Sequence, residues 1–209
     1  MDMDALDVKV RHFMERFEMM RTNINILLSK HIQGVTANLN NITFGSHSAG
    51  AEITIAMMKL NHQGIKASVF LEPMVMYLNT TIPFELPAVM FGTQLSEEGS
   101  SILFPPCVFP QYDFTHVYGN WCLQKFKWRP RATGNCDIMD PEGRNMCREM
   151  HLCKMVPNAD LQSYQLYIQG LTTGFLDWVL HKRQDISYLT NSTLAPIPLM
   201  NLKFEGLPG

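Results

Sequence analysis

The strongest pattern in the chain is at its start. Leu6, Val10, Phe13, Phe17, Met20, Ile24 and Leu27 recur at steps of four and three, which places them on one face of a helix for about three heptads. Asp4 is a cap candidate, Asp2 and Asp7 suit the positive end of the dipole, and Gly34 is a natural stop. Met14 and Leu28 widen the stripe, and Phe13 and Phe17 are too bulky for a two-stranded coiled-coil seam. The pattern therefore predicts a projecting or docking helix over residues 1–33. Its contact surface is Leu6, Val10, Phe13, Met14, Phe17, Met20, Ile24, Leu27 and Leu28.

Beyond Gly34 the period changes. Thr36 to Phe44 is extended in character, and Gly45-Ser46-His47-Ser48-Ala49-Gly50 reads as a loop. Ala51 to Leu60 and Ile65 to Leu71 read as two strands, with Ile53, Ile55 and Met57 alternating in the first. Asn61-His62-Gln63-Gly64 would close them into a hairpin. Pro73 to Pro110 holds six of the twelve prolines, yet Leu86, Val89, Met90, Phe91, Leu103, Phe104, Val108 and Phe109 need burial. That combination predicts a packed β-rich region with edge strands. His116 to Trp128 reads as a further strand.

Asp140-Pro141-Glu142-Gly143 is a turn, with a short helix from Arg144 to Met155 behind it. Pro157 and Asn158 introduce a second long helix striped by Leu161, Tyr164, Ile168, Leu171, Phe175 and Val179. Gly170 and Gly174 in it would admit another backbone, and the tail from Ser187 is extended and apolar. The predicted class is α+β: an N-terminal helix, then a single body over 34–209. That body has a sandwich-like β-rich part (34–131), a helical part (143–185) and a tail.

Charge shifts this picture toward association. Only 17% of the 209 residues are charged and the net charge is −2, so little repulsion keeps copies apart. The same balance excludes proteins that track nucleic-acid phosphates through a basic excess. The chain has no apolar run long enough to span a membrane, and its acidic start is unlike a signal peptide. The expectation is an intracellular protein with the sequons at Asn41, Asn79 and Asn191 unglycosylated and its five cysteines reduced or metal-bound.

Three of those cysteines form the best chemical constellation. Cys136, Cys147, His151 and Cys153 offer three thiolates and an imidazole to zinc, with Cys147 and His151 one helical turn apart. Apart from that candidate no cofactor is indicated. Ser46-His47-Ser48 has the residue types of a hydrolase, but a nucleophile elbow carries Gly two residues to each side of its serine. Ser48 has Gly50 after it and Ser46 before it, so the segment reads as a turn. Asp113 with His116, and Glu72 with Glu85, are pairs of a kind any domain offers.

With no catalytic set in view, the sequence predicts a non-enzymatic structural protein that self-assembles through its N-terminal helix. Viral coat, matrix and crystalline occlusion-body proteins work this way, and the partners would be copies of the chain. The second expectation is an intracellular binding module, zinc-stabilised through the cysteines, whose helix engages a different protein.

Overall fold

The computed structural model describes residues 3–61, 63–77, 82–98, 106–122, 124–131, 133–155 and 161–206. It contains the mixed α and β content expected of the sequence, with a long helix at the start and another late in the chain. The β content forms one five-stranded sheet, ordered β1 (Ile42–His47), β2 (Ile65–Leu71), β3 (Ala88–Phe91), β4 (Lys125–Pro130) and β5 (Leu199–Glu205). The first four strands are parallel, with Ser46 beside Phe70, Val69 beside Val89 and Val89 beside Phe126. β5 closes the far edge antiparallel to β4, Phe204 opposite Phe126.

Parallel neighbours cannot be joined by a tight turn; the chain must cross back over the sheet. This is why the hairpin expected over 51–71 does not exist. Ala51 to Leu60 belongs to helix α2 (Gly50–Leu60), which carries the chain from β1 to β2. Ile53, Ile55 and Met57 alternate, but Ala51, Ile55 and Met58 also sit at helical spacing, and those three are fully buried. Gly64 still turns the chain, at φ 81°, as the entry to β2. Likewise His116 to Trp128 divides into helix α3 (Phe114–Asn120) and β4. Asp113 caps α3 by accepting from the N–H groups of Thr115 (2.9 Å) and His116 (3.0 Å).

Helices cover both faces of the sheet, so the centre is layered α/β/α and not a sandwich of two sheets. On one face Ile55 and Met58 of α2, Phe70, Met90, Val117 of α3 and Trp121 form a core. On the other, Val69, Val89, Phe126 and Trp128 meet Tyr164, Ile168, Leu171 and Phe175. Those four belong to the long late helix; with α4 as Pro141–Glu149, it is α5 (Leu161–His181). Burial from both sides explains why β2 reads Ile-Lys-Ala-Ser-Val-Phe-Leu, almost without polar alternation.

The predicted stripe of α5 is the observed one, and Tyr164, Ile168, Leu171 and Phe175 are buried. Gly174 admits a ring and not a backbone: a Cβ there would strike Tyr188 of the short helix α6 (Ser187–Thr190). The Tyr188 hydroxyl donates to the Gly174 carbonyl at 2.7 Å. Val89, Met90, Phe91 and Val108 are buried as expected, whereas Phe109 is exposed. Leu103, Phe104, Asn79, Pro157 and Asn158 lie outside the described residues.

Helix α1 (Met3–His31) does not project over its first half. Leu6 and Val10 are buried against Met57 of α2, Met14 joins them, and the Phe17 ring meets Phe44 edge-on at 5.0 Å. Ile24 and Leu28 are half-buried, while Phe13, Met20 and Leu27 face outward. Much of the stripe therefore serves the chain's own core.

Candidate active site

Ligands of open parallel sheets gather outside the carboxyl ends of the strands, where the loops diverge. The four parallel strands place Ser48, Glu72, Thr93 with Ser96, and Asn135 in the segments that follow β1, β2, β3 and β4 respectively. Two of these, Ser48 (φ 52°) and Glu72 (φ 50°), hold positive φ without being glycine, a strained conformation that such residues adopt only under constraint.

Ser48 occupies the two-residue turn between β1 and α2. Its N–H donates to the Leu71 carbonyl at 3.0 Å and its carbonyl accepts from Ala51 and Met74, both at 3.1 Å. The bend is thus clamped from the neighbouring strand and from the helix it opens. Strand, sharp turn at a positive-φ serine, then helix is the backbone geometry of a nucleophile elbow. Gly50 supplies the small residue on the helix side, and Ser46 fills the position where glycine is usual. The expectation of an ordinary loop over 45–50 is corrected accordingly: Gly45, Ser46 and His47 belong to β1.

Glu72 is 3% exposed, and its N–H donates to the Phe91 carbonyl of β3 at 2.6 Å. Burial pushes its carboxyl up to about 7. Hydrogen bonds from the Thr93 and Ser96 hydroxyls and the Thr93 N–H oppose that shift, and the charge of Glu97 adds to it. Thr93 and Ser96 also pair with each other at 2.6 Å. Tyr164 projects from α5 toward this spot; burial and then the charges of Glu72 and Asp137 hold its hydroxyl well above the usual range.

The segment after β4 closes over the same end. Thr133 accepts from Leu95 N–H at 3.0 Å, and the Asp137 carboxylate receives the Gly134 N–H at 2.8 Å. The Asn135 carbonyl lies 3.1 Å from His47 Nε2. Burial lowers the His47 pKa, partly offset by its bonds to Asn135, which favours the neutral imidazole. His47, the residue before Ser48, is therefore bonded directly to Asn135. Glu52, inside α2, braces the loop beyond Glu72 from below: its carboxylate accepts from Tyr77 (2.6 Å) and Met76 (3.3 Å) N–H groups.

The zinc set is not assembled. Cys136 is disulfide-bonded to Cys147 and Cys153 to Cys107, so all three candidate thiolates are engaged in cross-links, and Cys122 alone is a free thiol. These bonds tie the segment bearing Asn135 to α4 and the segment bearing Cys107 to the stretch that follows α4. Among the described residues no helix is long and apolar enough to cross a membrane.

Sequence reasoning met Ser48 but lacked its φ, and it met Glu72 only as half of an unspecific pair with Glu85. Asn135, Thr93 and Ser96 carried no signal, because topology alone brings their loops together.

No family model matches the chain, and no curated protein matches it. Among solved structures it is similar to a ferulic acid esterase from Streptomyces cinnamoneus, at 12% identity and a TM-score of 0.56. The match covers 88% of this chain and 54% of the esterase, so the chain spans about half of that protein's length. At this identity the likeness is one of fold. It overturns the expectation of a non-enzymatic structural protein, which rested on the helical stripe, the low charge and the lack of a visible catalytic set: the architecture is one that an esterase uses.

Proposed function

We propose that the chain is a serine hydrolase acting on carboxylic esters, with Ser48 as its nucleophile. The observation that carries this reading is the Ser48 backbone, held at φ 52° between a parallel strand and a helix start. Such strain persists only where the surroundings impose it, and here it presents a hydroxyl at the end of the sheet where reactions occur. The fold shared with an esterase agrees with it.

In this reaction Ser48 Oγ bonds to the ester carbonyl carbon, and the carbonyl π electrons move to oxygen. The N–H of Ala49 and the positive end of α2 stabilise that oxyanion. Collapse breaks the carbon–alkoxy bond, and the alcohol leaves with the proton that Ser48 gives up. Water then releases the acid and restores Ser48. Glu72 is the acidic member of the site, following the nucleophile in chain order.

The two cross-links favour an oxidising compartment over the intracellular placement expected from the N-terminus. Alkylating the denatured, unreduced protein from its natural source should then modify one thiol, Cys122. Modification of all five cysteines would restore the intracellular reading.

Reaction with a fluorophosphonate tests the nucleophile. Extended incubation should add one phosphonyl group to the peptide that contains Ser48 and none to Ser48→Ala. A modified residue elsewhere would contradict the assignment.

A further inference from the structure

We propose that Asn135 stands at the position of the proton-transferring base, so that Ser48 is acylated by esters without an internal proton shuttle. This rests on the reading of Ser48 as nucleophile and concerns what completes that same site.

In hydrolases with a serine elbow the nucleophile is followed by the acid and then by histidine. Here the elbow follows β1 and Glu72 follows β2, so the base belongs to a later carboxyl-end loop. The segment after β4 fits by its contacts. His47 Nε2, one residue before the nucleophile, binds the Asn135 carbonyl, and Leu95, in the loop that holds Thr93 and Ser96 to Glu72, binds Thr133. Residues 133–135 are thereby tied to the Ser48 loop on one side and the Glu72 loop on the other.

Asn135 is 3% exposed, and its Nδ2 has no hydrogen-bond partner among the described residues; Glu72 Oε1 has none either. A buried donor and a buried acceptor left unpaired on adjoining loops are costly, and in native proteins such groups cluster where function demands them. An imidazole at 135 would stand on a segment bonded both to the residue before Ser48 and to the loop that holds Glu72. An amide neither takes nor releases a proton at neutral pH. The remaining titratable groups at this spot are His47, Tyr164 and Asp137, with Glu97 and Arg144 at its margin. The His47 ring is already bound to the Asn135 carbonyl.

The balance of the reaction then changes in one respect. Ser48 Oγ still bonds to carbon and the alkoxy group still leaves, but the serine proton reaches the departing oxygen through solvent. Water attacks the acyl group without a base, so the acyl-enzyme outlives its formation. Oxyanion stabilisation and binding alone support roughly 10³-fold acceleration over water in sites that lack a triad member.

Hydrolysis of 4-nitrophenyl butyrate by the full chain and by Asn135→His tests this. The substitution should raise kcat/KM by about 100-fold or more and add a pH limb in the imidazole range. Glu72→Gln in that background should remove most of the gain, and Ser48→Ala all of it. A parent chain turning over at about 10 s⁻¹, typical of enzymes in general, would overturn the proposal and leave Ser48 as nucleophile. So would a folded Asn135→His protein with no gain, whose new imidazole titrates by NMR unaffected by Glu72→Gln. Should that variant not fold, imidazole added to Asn135→Ala should speed acylation of Ser48, and no acceleration counts against the proposal. Absence of acyl group on Ser48 in every one of these proteins would instead remove the nucleophile reading itself.

Discussion

Two buried glutamates stand on consecutive turns of the chain's path and are treated in opposite ways. Glu52, 2% exposed on α2, spends its carboxylate on the N–H groups of Met76 and Tyr77 and thereby fixes the loop above it. Glu72, 3% exposed after β2, keeps Oε1 without a partner among the described residues, sits on strained backbone and has its carboxyl pushed up to about 7. Burial is equal, so burial does not separate a structural carboxylate from one in a reactive site. Satisfaction does: the first group is bonded as folding demands, and the second is left with unused capacity where four strand ends converge.

The largest effect that sharpens this contrast is on Glu72. Its carboxyl titrates near 7 in the folded protein against an ordinary 4.5. The raised value means that its contribution to stability is full below about pH 4.5 and is lost as pH climbs through 7. The loss is about 3 kcal/mol at pH 8, as an order of magnitude. Glu72→Gln should therefore melt higher than the parent at pH 8 and match it near pH 4. Parallel melting curves at both pH values would show that burial does not raise the Glu72 carboxyl. Glu52→Ala should do the reverse, costing about 2 kcal/mol by leaving two N–H groups unpaired. An unchanged denaturant midpoint would break the comparison from its structural side.

Ser48→Gly should stabilise the fold by roughly 1 kcal/mol, because glycine holds φ 52° without strain, while the nucleophile disappears. Thermal melting checks this: a lower Tm would mean that the serine side chain serves packing. The smallest expected effect is at the N-terminus. Phe13→Ser, on the outward face of α1, should shift stability by about 0.5 kcal/mol or less. Val10→Ser, buried against α2, should cost several times more in the same urea titration.

How much of this was legible in the sequence varied with the range of the interaction. The long helices were readable because their stripes repeat within one element, as with Tyr164, Ile168, Leu171 and Phe175. Ala51 to Leu60 fits two readings, because Ile53, Ile55 and Met57 satisfy the strand period while Ala51, Ile55 and Met58 satisfy the helix period. The decision belongs to β1 and β2, which pair in parallel and need a crossover. The site was legible only in part. Ser48 stood out chemically, but Ser46 in place of glycine hid the elbow, and only the backbone angle restores it. Asn135 has no signature as an asparagine; its meaning comes from standing where β4 delivers it, bonded to the residue before the nucleophile. Cys136, Cys147 and Cys153 suggest a metal set by spacing alone, which does not reveal that Cys107, distant in sequence, pairs with Cys153.

The claim that matters most is that Ser48 is a nucleophile on a strained elbow. Mixing the full chain with 4-nitrophenyl butyrate, quenching in acid and mapping the peptides by mass tests it most directly. One butyryl group per chain is expected, on the peptide that contains Ser48, persisting for minutes after substrate is removed and absent from Ser48→Ala. A butyryl group on another residue, or none while the ester is consumed at the same rate by Ser48→Ala, would contradict it.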